Sequence, residues 1–269
     1  MKPTNRFDAI IVGAGLGGIN SLHEALELGL SVKFLERVSE VGGAWHYNQY
    51  PGCTSDTLSH LYRLYWDKED LRTYLWPNRY LSQPEILTYI KHVVSKNNMG
   101  PHIQLNTDVT SATWNDAEHS WVVRANTGEE FVARYLITAV GFLAEPVFPD
   151  IPGIDTFQGR LAHSTQWTPD IEIDGKRVGI IGCGATGVQL LTAIAPRASA
   201  VVSFQRTPQY SIPSRNAPIS ADERAWYNEH YDAIIDDVWN SATGFGFITS
   251  TKPAMSVGPE ERERVFEDL

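Results

Sequence analysis

The stretch that decides the fold reads I-I-V-G-A-G-L-G-G, at residues 10–18. Its apolar start, preceded by Ala9, is typical of a buried parallel strand. Three glycines, Gly13, Gly15 and Gly18, then lead into apolar residues at helical spacing. A strand that runs into a G-x-G-x-x-G turn and opens a helix is the context in which backbone amides bind a dinucleotide pyrophosphate. We therefore predict a Rossmann-like unit at the start of the chain.

The same pattern returns in the second half of the chain. Residues 178–181 read as a strand that runs into G-C-G-A-T-G, with Gly182, Gly184 and Gly187, and a further strand follows at 201–204. This is a duplication of architecture rather than a short-period repeat. The predicted fold class is α/β, with two Rossmann-like dinucleotide-binding domains.

A helix, a β-meander and a linker are predicted between the two units. S-Q-P-E at residues 82–85 signals the start of a helix. Residues 103–134 alternate polar and apolar side chains between turn signals, which predicts a β-meander inserted in the first domain. Residues 135–140 read as another apolar strand, and prolines within 146–152 mark a linker. In the tail, Ser220 is the predicted cap of a further helix.

Charge and composition disfavour several classes of function. Lysine and arginine total 22 against 32 acidic residues, a net charge of −10, so nucleic acid is an unfavourable partner. The start of the sequence lacks the apolar run of a secretory signal. The longest apolar stretch, residues 135–144, is too short to cross a bilayer. We expect a cytoplasmic protein with no membrane span.

The residue that follows the second strand differs between the two units. Glu36 stands at the spacing typical of an acid that accepts hydrogen bonds from ribose hydroxyls and repels a phosphate. The matching position, counted from Gly182, is Gln205, and it is followed by Arg206, whose guanidinium suits a phosphate. The first unit is therefore predicted to bind a nucleotide with a free ribose, such as FAD, and the second to prefer NADP to NAD. The alternative for Arg206 is an ordinary surface arginine.

Two nucleotide sites in one chain predict hydride transfer from a nicotinamide to a flavin. Disulfide reductases and flavin monooxygenases share this step, but a disulfide reductase needs a redox-active cysteine pair beside the flavin. Cys53 and Cys183 are far apart, form no metal-ligand cluster and read as small buried residues. The monooxygenase is therefore favoured, and no metal is expected.

Four motifs give the chain a family resemblance. They are F-x-G-x-x-x-H-x-x-x-W at residues 157–167, G-G-A-W at 42–45, Y-P-G-C-T-S-D at 50–56 and F-Q-R-T-P at 204–208. On these motifs the chain resembles the Baeyer–Villiger monooxygenases, which are class B flavoprotein monooxygenases. The resemblance implies that FAD and NADPH are the cofactors. It also implies that one oxygen atom of dioxygen is inserted next to a ketone carbonyl, to give an ester or lactone.

The resemblance also implies roles for particular residues. Asp56 is expected near the nicotinamide and flavin, where it orients a catalytic arginine; alternatively, it caps the turn after Pro51 and Gly52. His163, in the segment that connects the flavin and NADP domains, is expected to make structural hydrogen bonds rather than act as a general base. The cofactor-binding residues are Gly13, Gly15, Gly18, Glu36, Ala44, Trp45, Asp56, Tyr62 and Val109 for FAD, and Gly182, Gly184, Ala185, Thr186, Gly187, Gln189, Arg206 and Thr207 for NADP.

The chain departs from the family pattern after Pro208. The family's flavin domain resumes beyond its NADP domain and holds the catalytic arginine there, and no later arginine lies in a matching context. We therefore expect an incomplete flavin domain at residues 1–145, a linker at 146–168, the first half of an NADP domain at 169–215 and a helical tail at 216–269. A second chain is a candidate for completing the flavin domain.

Two other functions stay open on the sequence alone. One is a related flavin monooxygenase that oxidises sulfur or nitrogen. The other is a non-catalytic nucleotide-binding subunit or truncated remnant.

Overall fold

The computed structural model describes residues 5–143, 145–209, 211–245 and 252–267. Its strands are β1 Arg6–Val12, β2 Val32–Leu35, β3 Ile103–Gln104, β4 Val109–Asn115, β5 Ser120–Ala125, β6 Glu130–Thr138, β7 Arg177–Ile181 and β8 Ala200–Phe204. Its helices are α1 Leu16–Glu27, α2 Ala44–Tyr47, α3 Lys68–Thr73, α4 Gln83–Lys96, α5 Ala185–Ile194, α6 Ala221–Asn240 and α7 Pro259–Glu267. Both predicted strand–turn–helix–strand units are confirmed. Residue 144, the end of the longest apolar stretch, and residues 246–251 and 268–269 of the predicted tail lie outside the described residues.

The larger sheet has the strand order β3-β2-β1-β6-β5-β4. β3, β2, β1 and β6 run parallel, while β5 and β4 pair antiparallel beyond β6. Ala9, Ile10 and Ile11 of β1 are fully buried. β1 is covered on both faces, which is why it reads as a continuous apolar run. The α/β fold class is confirmed.

The predicted boundary between the meander and the next strand is wrong. The sequence pattern predicts different strands for residues 130–134 and 135–138, but Glu130–Thr138 is one strand that pairs antiparallel with β5 and parallel with β1. Residues 103–104 also leave the meander, because β3 pairs with β2 at the opposite edge of the sheet. Alternation marks any half-buried strand and does not identify its neighbour.

Apolar packing holds α1 against the larger sheet. α1 contacts β1 and β2, and its Ile19 and Leu22 are fully buried. Ile10, Leu35 and Phe131 belong to a cluster of buried apolar residues in the same sheet. This packing fixes the N-terminus of α1 at the carboxyl end of β1, where a Rossmann-like unit binds its nucleotide.

Two predicted helix starts are confirmed by their caps. Ser82 precedes α4 and forms a capping box with Glu85, whose Oε2 accepts from the Ser82 amide at 2.7 Å. Ser220 precedes α6 and accepts from the Glu223 amide at 3.1 Å. Among the helices of the described residues, none is long and apolar enough to cross a bilayer.

The second Rossmann-like unit contains a small parallel sheet of β7 and β8. One face carries Ile180, which packs in a buried cluster with Ile194 of α5. The other face carries Ile181, Val202 and Phe204, which are 56%, 54% and 55% exposed. The described residues therefore cover only one face of this sheet.

The chain divides into two compact units. One consists of Met1–Asp56 and Tyr80–Asn216, and includes both glycine turns within its described residues. The other consists of Thr57–Arg79 and Ala217–Leu269, and includes α3 and α6. The functional domains predicted from the sequence divide the chain at other positions and stay a prediction.

Candidate nucleotide-binding sites

The first glycine turn has a backbone that only glycine adopts without strain. Gly13 has φ +102°, and a Cβ atom there would lie 2.6 Å from the carbonyl oxygen of Ala139. Gly15 is the N-cap of α1, and no side chain caps the helix or places an acid in its first turn. The free amides at the start of α1 are therefore available to an anion such as a pyrophosphate.

Glu36 lies beside this turn although it comes from the end of β2. The residue is 5% exposed, and its Oε2 accepts from the amide of Ala14 at 2.6 Å. Its Oε1 accepts from the amide of Val38 at 3.1 Å. An ionised carboxylate accepts more bonds than these two, so it retains capacity for ribose hydroxyls.

The second glycine turn repeats the geometry of the first. Gly182 has φ +112°, its amide donates to the carbonyl of Phe204 at 3.0 Å, and Gly184 is the N-cap of α5 without a side-chain cap. Cys183 is half-buried rather than buried as predicted, and its thiol donates to the carbonyl of Thr207 at 3.1 Å. These bonds hold the segment after β8 beside the turn.

Arg206 follows β8 at this edge of the small sheet. Its side chain is exposed and makes no hydrogen bond or ion pair with any described residue. An arginine that bonds to none of the described residues and lies beside a glycine turn suits a ligand phosphate, because the guanidinium has five donors.

Asp56 is exposed at the end of the Y-P-G-C-T-S-D motif. Its carboxylate makes no hydrogen bond with a described residue, so the alternative role as a turn cap gains no support.

Burial raises the pKa of the nearby Tyr50 phenol to about 12, and the charge of Asp56 adds to that shift. Tyr50 therefore keeps its proton at neutral pH and donates to Oε1 of Gln189 at 2.8 Å. Burial also raises the pKa of the Cys53 thiol, as expected of an unreactive buried cysteine.

Gln189 was predicted to contact NADP, but its side chain has protein partners. Its Nε2 donates to the carbonyl of Thr54 at 2.9 Å, and its Oε1 accepts from Tyr50. Thr186, also predicted at the NADP site, has its Oγ1 3.5 Å from the same phenol oxygen, whose one proton is donated to Gln189. Their contacts with NADP stay predictions.

The F-x-G-x-x-x-H-x-x-x-W segment has structural contacts. His163 caps a short turn, its Nδ1 accepting from the amide of Thr165 at 3.2 Å, and its ring packs edge-on against Phe148. Trp167 packs against the buried cluster that contains Tyr50 and Cys53. The structural role expected for His163 fits these contacts.

The remaining predicted residues are distributed over several elements. Ala44 begins α2 and is exposed, while Trp45 packs against the cluster around Tyr50. Val109 begins β4 and is half-buried. Tyr62 is half-buried and belongs to the other compact unit. Their contacts with FAD stay predictions.

Gln83 is a residue of this region that the sequence interpretation missed. Its backbone amide donates to the carbonyl of Cys53 at 2.8 Å, and its side-chain Nε2 donates to the carbonyl of Trp45. The helix-start pattern predicted its position but could not predict these long-range partners.

Of the arginines after Pro208, Arg224 has a structural role. Its guanidinium lies over the ring of Trp76 and donates to the carbonyl of Trp76.

Known proteins resemble this chain in family, in sequence and in structure. Residues 7–216 match the FMO-like family, described as flavin-binding monooxygenase-like. The phenazine N-monooxygenase of Lysobacter antibioticus is 44% identical over 262 residues, covering 97% of this chain and 48% of that protein. The cyclohexanone 1,2-monooxygenase of an Acinetobacter species is 42% identical over the same shares.

Solved structures agree with the sequence relatives. The structure of cyclohexanone monooxygenase from Rhodococcus sp. Phi1 bound to NADP+ has a TM-score of 0.92 and 43% identity, over 99% of this chain and 50% of that one. An oxidised steroid monooxygenase bound to NADP has a TM-score of 0.90 and 35% identity, over 98% of this chain and 51% of that one. The chain spans about half the length of the curated relatives it matches.

Proposed function

The chain belongs to the flavin-binding monooxygenase-like family, and on that premise we propose that it binds FAD at its first glycine turn and NADPH at its second. It does so within a monooxygenase that inserts one oxygen atom of dioxygen next to a ketone carbonyl, giving an ester or lactone. The observation that carries the proposal is the contrast between Glu36 and Arg206. They follow the corresponding strands β2 and β8, one beside each glycine turn.

The first turn fits the adenosine and pyrophosphate of FAD. The amides at the start of α1 have no side-chain cap, and the buried carboxylate of Glu36 touches the turn through Ala14. The helix N-terminus stabilises phosphate charge, and the carboxylate accepts from ribose hydroxyls. Bound FAD supplies the redox chemistry with dioxygen, and bound NADPH supplies the hydride.

The second turn fits NADPH better than NADH. The 2′-phosphate of NADPH needs a cation and tolerates no nearby carboxylate. Arg206 meets the first condition, because no described residue occupies its guanidinium. Gln205 meets the second, since it stands where the first unit has Glu36. Two structural relatives, the cyclohexanone monooxygenase and the steroid monooxygenase, are bound to NADP, which supports the same coenzyme.

A ketone is the proposed substrate class because several relatives are named for ketone oxidation. They include the cyclohexanone 1,2-monooxygenase and a relative named Baeyer–Villiger monooxygenase, 44% identical over 97% of this chain. Oxidation of nitrogen is a second candidate, because the phenazine N-monooxygenase is also 44% identical over the same share. Overall identity does not separate the two reactions.

A further polypeptide segment is the proposed partner of the small sheet. Ile181, Val202 and Phe204 expose an apolar face in the described part of the chain. Apolar patches of this kind are typical of surfaces that another element covers. We propose that such a segment, in the same polypeptide or in a second chain, covers this face and helps to complete the site.

The proposal is tested by purifying the chain and adding FAD, then NADPH without oxygen. We expect bound flavin to show its visible spectrum and NADPH to bleach it faster than NADH does. Aerobic incubation with cyclohexanone, and separately with phenazine, then identifies the product. A chain that takes up no FAD would overturn the proposal. N-oxide without lactone would favour the second candidate, and nucleotide binding without any flavin reduction would favour a non-catalytic subunit.

A further inference from the structure

The side-chain amide of Gln189, in α5, forms hydrogen bonds with a segment that is distant in sequence, residues 50–56. We call residues 50–56 the Asp56 segment. Gln189 lies in the second turn of α5, after the glycine turn proposed for NADP. Its Oε1 accepts from the Tyr50 phenol at 2.8 Å and from the Thr54 amide at 3.4 Å, and its Nε2 donates to the Thr54 carbonyl at 2.9 Å. One side chain thus bonds both backbone groups of a single residue in this segment.

Gly52 brings this segment close enough for those bonds to form. It has φ +81°, and a Cβ atom there would lie 2.7 Å from the carbonyl oxygen of Gln189 and 2.9 Å from the Cβ of Ala193. Any larger residue would push the segment away from α5, because the nearest obstacle is helix backbone. The close approach of the Asp56 segment to α5 therefore requires glycine at residue 52.

The other side of the Asp56 segment is bonded toward the first glycine turn. The amide of Gln83 donates to the carbonyl of Cys53 at 2.8 Å, and the side chain of Gln83 donates to the carbonyl of Trp45 in α2. Just before α2, the amide of Gly42 donates to the carbonyl of Ala14 at 2.8 Å. A continuous series of hydrogen bonds and covalent chain thus joins the two glycine turns through the Asp56 segment.

We infer that Gln189 is a positioning residue that sets the Asp56 segment on α5 and couples the two nucleotide sites. The inference rests on the proposed function, since it takes the two turns as the FAD and NADP sites. In this role Gln189 acts through Thr54 and Tyr50, in place of the NADP contact that the family resemblance implies. Its amide already has partners at both ends, so a bond to NADP would first have to break the bonds to the Asp56 segment.

Coupling of this kind is reciprocal. If FAD binding steadies the Asp56 segment in the position that Gln189 holds, FAD tightens NADP+ binding, and NADP+ tightens FAD binding by the same factor. We expect a factor of roughly fivefold or more, the lower end for coupled sites. The factor is measured by titrating NADP+ into the chain with and without saturating FAD.

Gln189→Met is the decisive variant, because it keeps the length of the side chain and removes all three bonds. Its affinity for NADP+ should be the same with and without FAD, so that the tightening by FAD is lost. Tyr50→Phe removes one of the three bonds and should lose part of the tightening. Thr192→Ala is the matched control, since Thr192 is exposed on the same helix and, within the described part of the chain, its side chain bonds only to the carbonyl of Val188. An equal factor in wild type and Gln189→Met would overturn the inference.

Hydrogen–deuterium exchange separates failure of the inference from failure of the proposed function. It is measured on the nucleotide-free chain, over a peptide that spans residues 50–56. Faster exchange in Gln189→Met than in Thr192→Ala supports the positioning role, and unchanged exchange overturns it, whatever the nucleotides do. A wild-type chain that binds both nucleotides with no mutual tightening overturns the coupling and leaves the proposed function standing. A chain that binds neither overturns the proposed function and, with it, the coupling.

Discussion

A Cβ atom on Gly18 would lie 2.0 Å from the carbonyl oxygen of Gly13, so α1 reaches its strand only because residue 18 has no side chain. The second turn has the same relationship, with 2.3 Å between a Cβ on Gly187 and the carbonyl oxygen of Gly182. In each unit the third glycine of the turn therefore sets how closely the helix packs, while the first glycine provides the positive φ. The close packing places the amide-rich helix start at the carboxyl end of the strand.

Replacing Gly18 by alanine should destabilise the chain and abolish FAD uptake. The new methyl group meets backbone at Gly13 and the ring of Phe34 at 2.8 Å, and the backbone cannot move aside cheaply. We expect a loss of roughly 1–3 kcal/mol in the free energy of unfolding, the usual range for overpacking. Urea denaturation of the nucleotide-free chain measures it. Gly17→Ala is the control, because a Cβ there meets nothing within 4 Å, and an equal loss in both variants would contradict the steric explanation.

Replacing Arg206 by alanine should weaken NADPH binding and leave NADH nearly unchanged. The charged hydrogen bonds lost to the 2′-phosphate correspond to roughly 1–3 kcal/mol of NADPH binding free energy. NADH binding should hardly change, because NADH lacks that phosphate. Fluorescence titration with both coenzymes measures the difference. Arg177→Ala, an exposed arginine at the opposite end of the small sheet, should change neither affinity. Equal losses for NADPH and NADH in Arg206→Ala would refute the assignment.

The ion pair of Arg63 and Asp70 should contribute far more to stability than an exposed pair nearby. Both side chains are almost fully buried, at 1% and 3% exposure, with 3.1 Å between Nη2 and Oδ2. Asp70→Asn removes the negative charge that lies 3.1 Å from the buried guanidinium, and we expect roughly 3–5 kcal/mol of destabilisation. Asp232→Asn, in a pair with Lys68 that is about two-thirds exposed, should cost under about 1 kcal/mol. Comparable losses in thermal denaturation would contradict this ranking.

Mild acid should destabilise the unit that contains His60. Burial lowers the pKa of His60 to about 4 from 6.5, with the charge of Glu223 opposing the shift, and the ring stacks on Tyr227. Between pH 4 and pH 6.5 the His60 ring is protonated in the unfolded chain but neutral in the folded chain. The stability that comes from burying the neutral ring is therefore complete above pH 6.5. It is lost as the pH falls from 6.5 toward 4.

Variants at His60 measure this contribution directly. In His60→Leu, and equally in His60→Gln, the slope of unfolding free energy against pH should decrease over that window by up to one proton, about 1.4 kcal/mol per pH unit. Urea denaturation at a series of pH values gives the slopes. If both variants keep the slope of the wild type, His60 is not the group responsible.

The sequence predicted the elements that carry their own local signal. Glycine spacing, a preceding apolar strand and helical periodicity lie within about 30 residues of one another, which is the length of a βαβ unit. For the same reason the positions of Glu36 and Arg206 followed from counting along the chain. Ser82 and Ser220 were predictable as caps because a capping residue is adjacent to the helix it caps.

Contacts between distant segments carried no such signal. Residues 130–138 form one strand because its two neighbours, β1 and β5, pair with overlapping parts of it, and alternation alone does not reveal partners. The grouping of Thr57–Arg79 with α6 likewise depends on packing across more than half the chain.

The sequence by itself determined that this chain has two glycine turns, each between a strand and a helix, with Glu36 after the second strand of one unit and Arg206 near the matching position of the other. Short-range chain geometry fixes both arrangements. Only the tertiary structure decided that Gln189 bonds to Thr54, 135 residues away, and so joins the two turns. Hydrogen bonds over that separation form only after the helices and sheets have packed, because packing brings their donors and acceptors within about 3 Å.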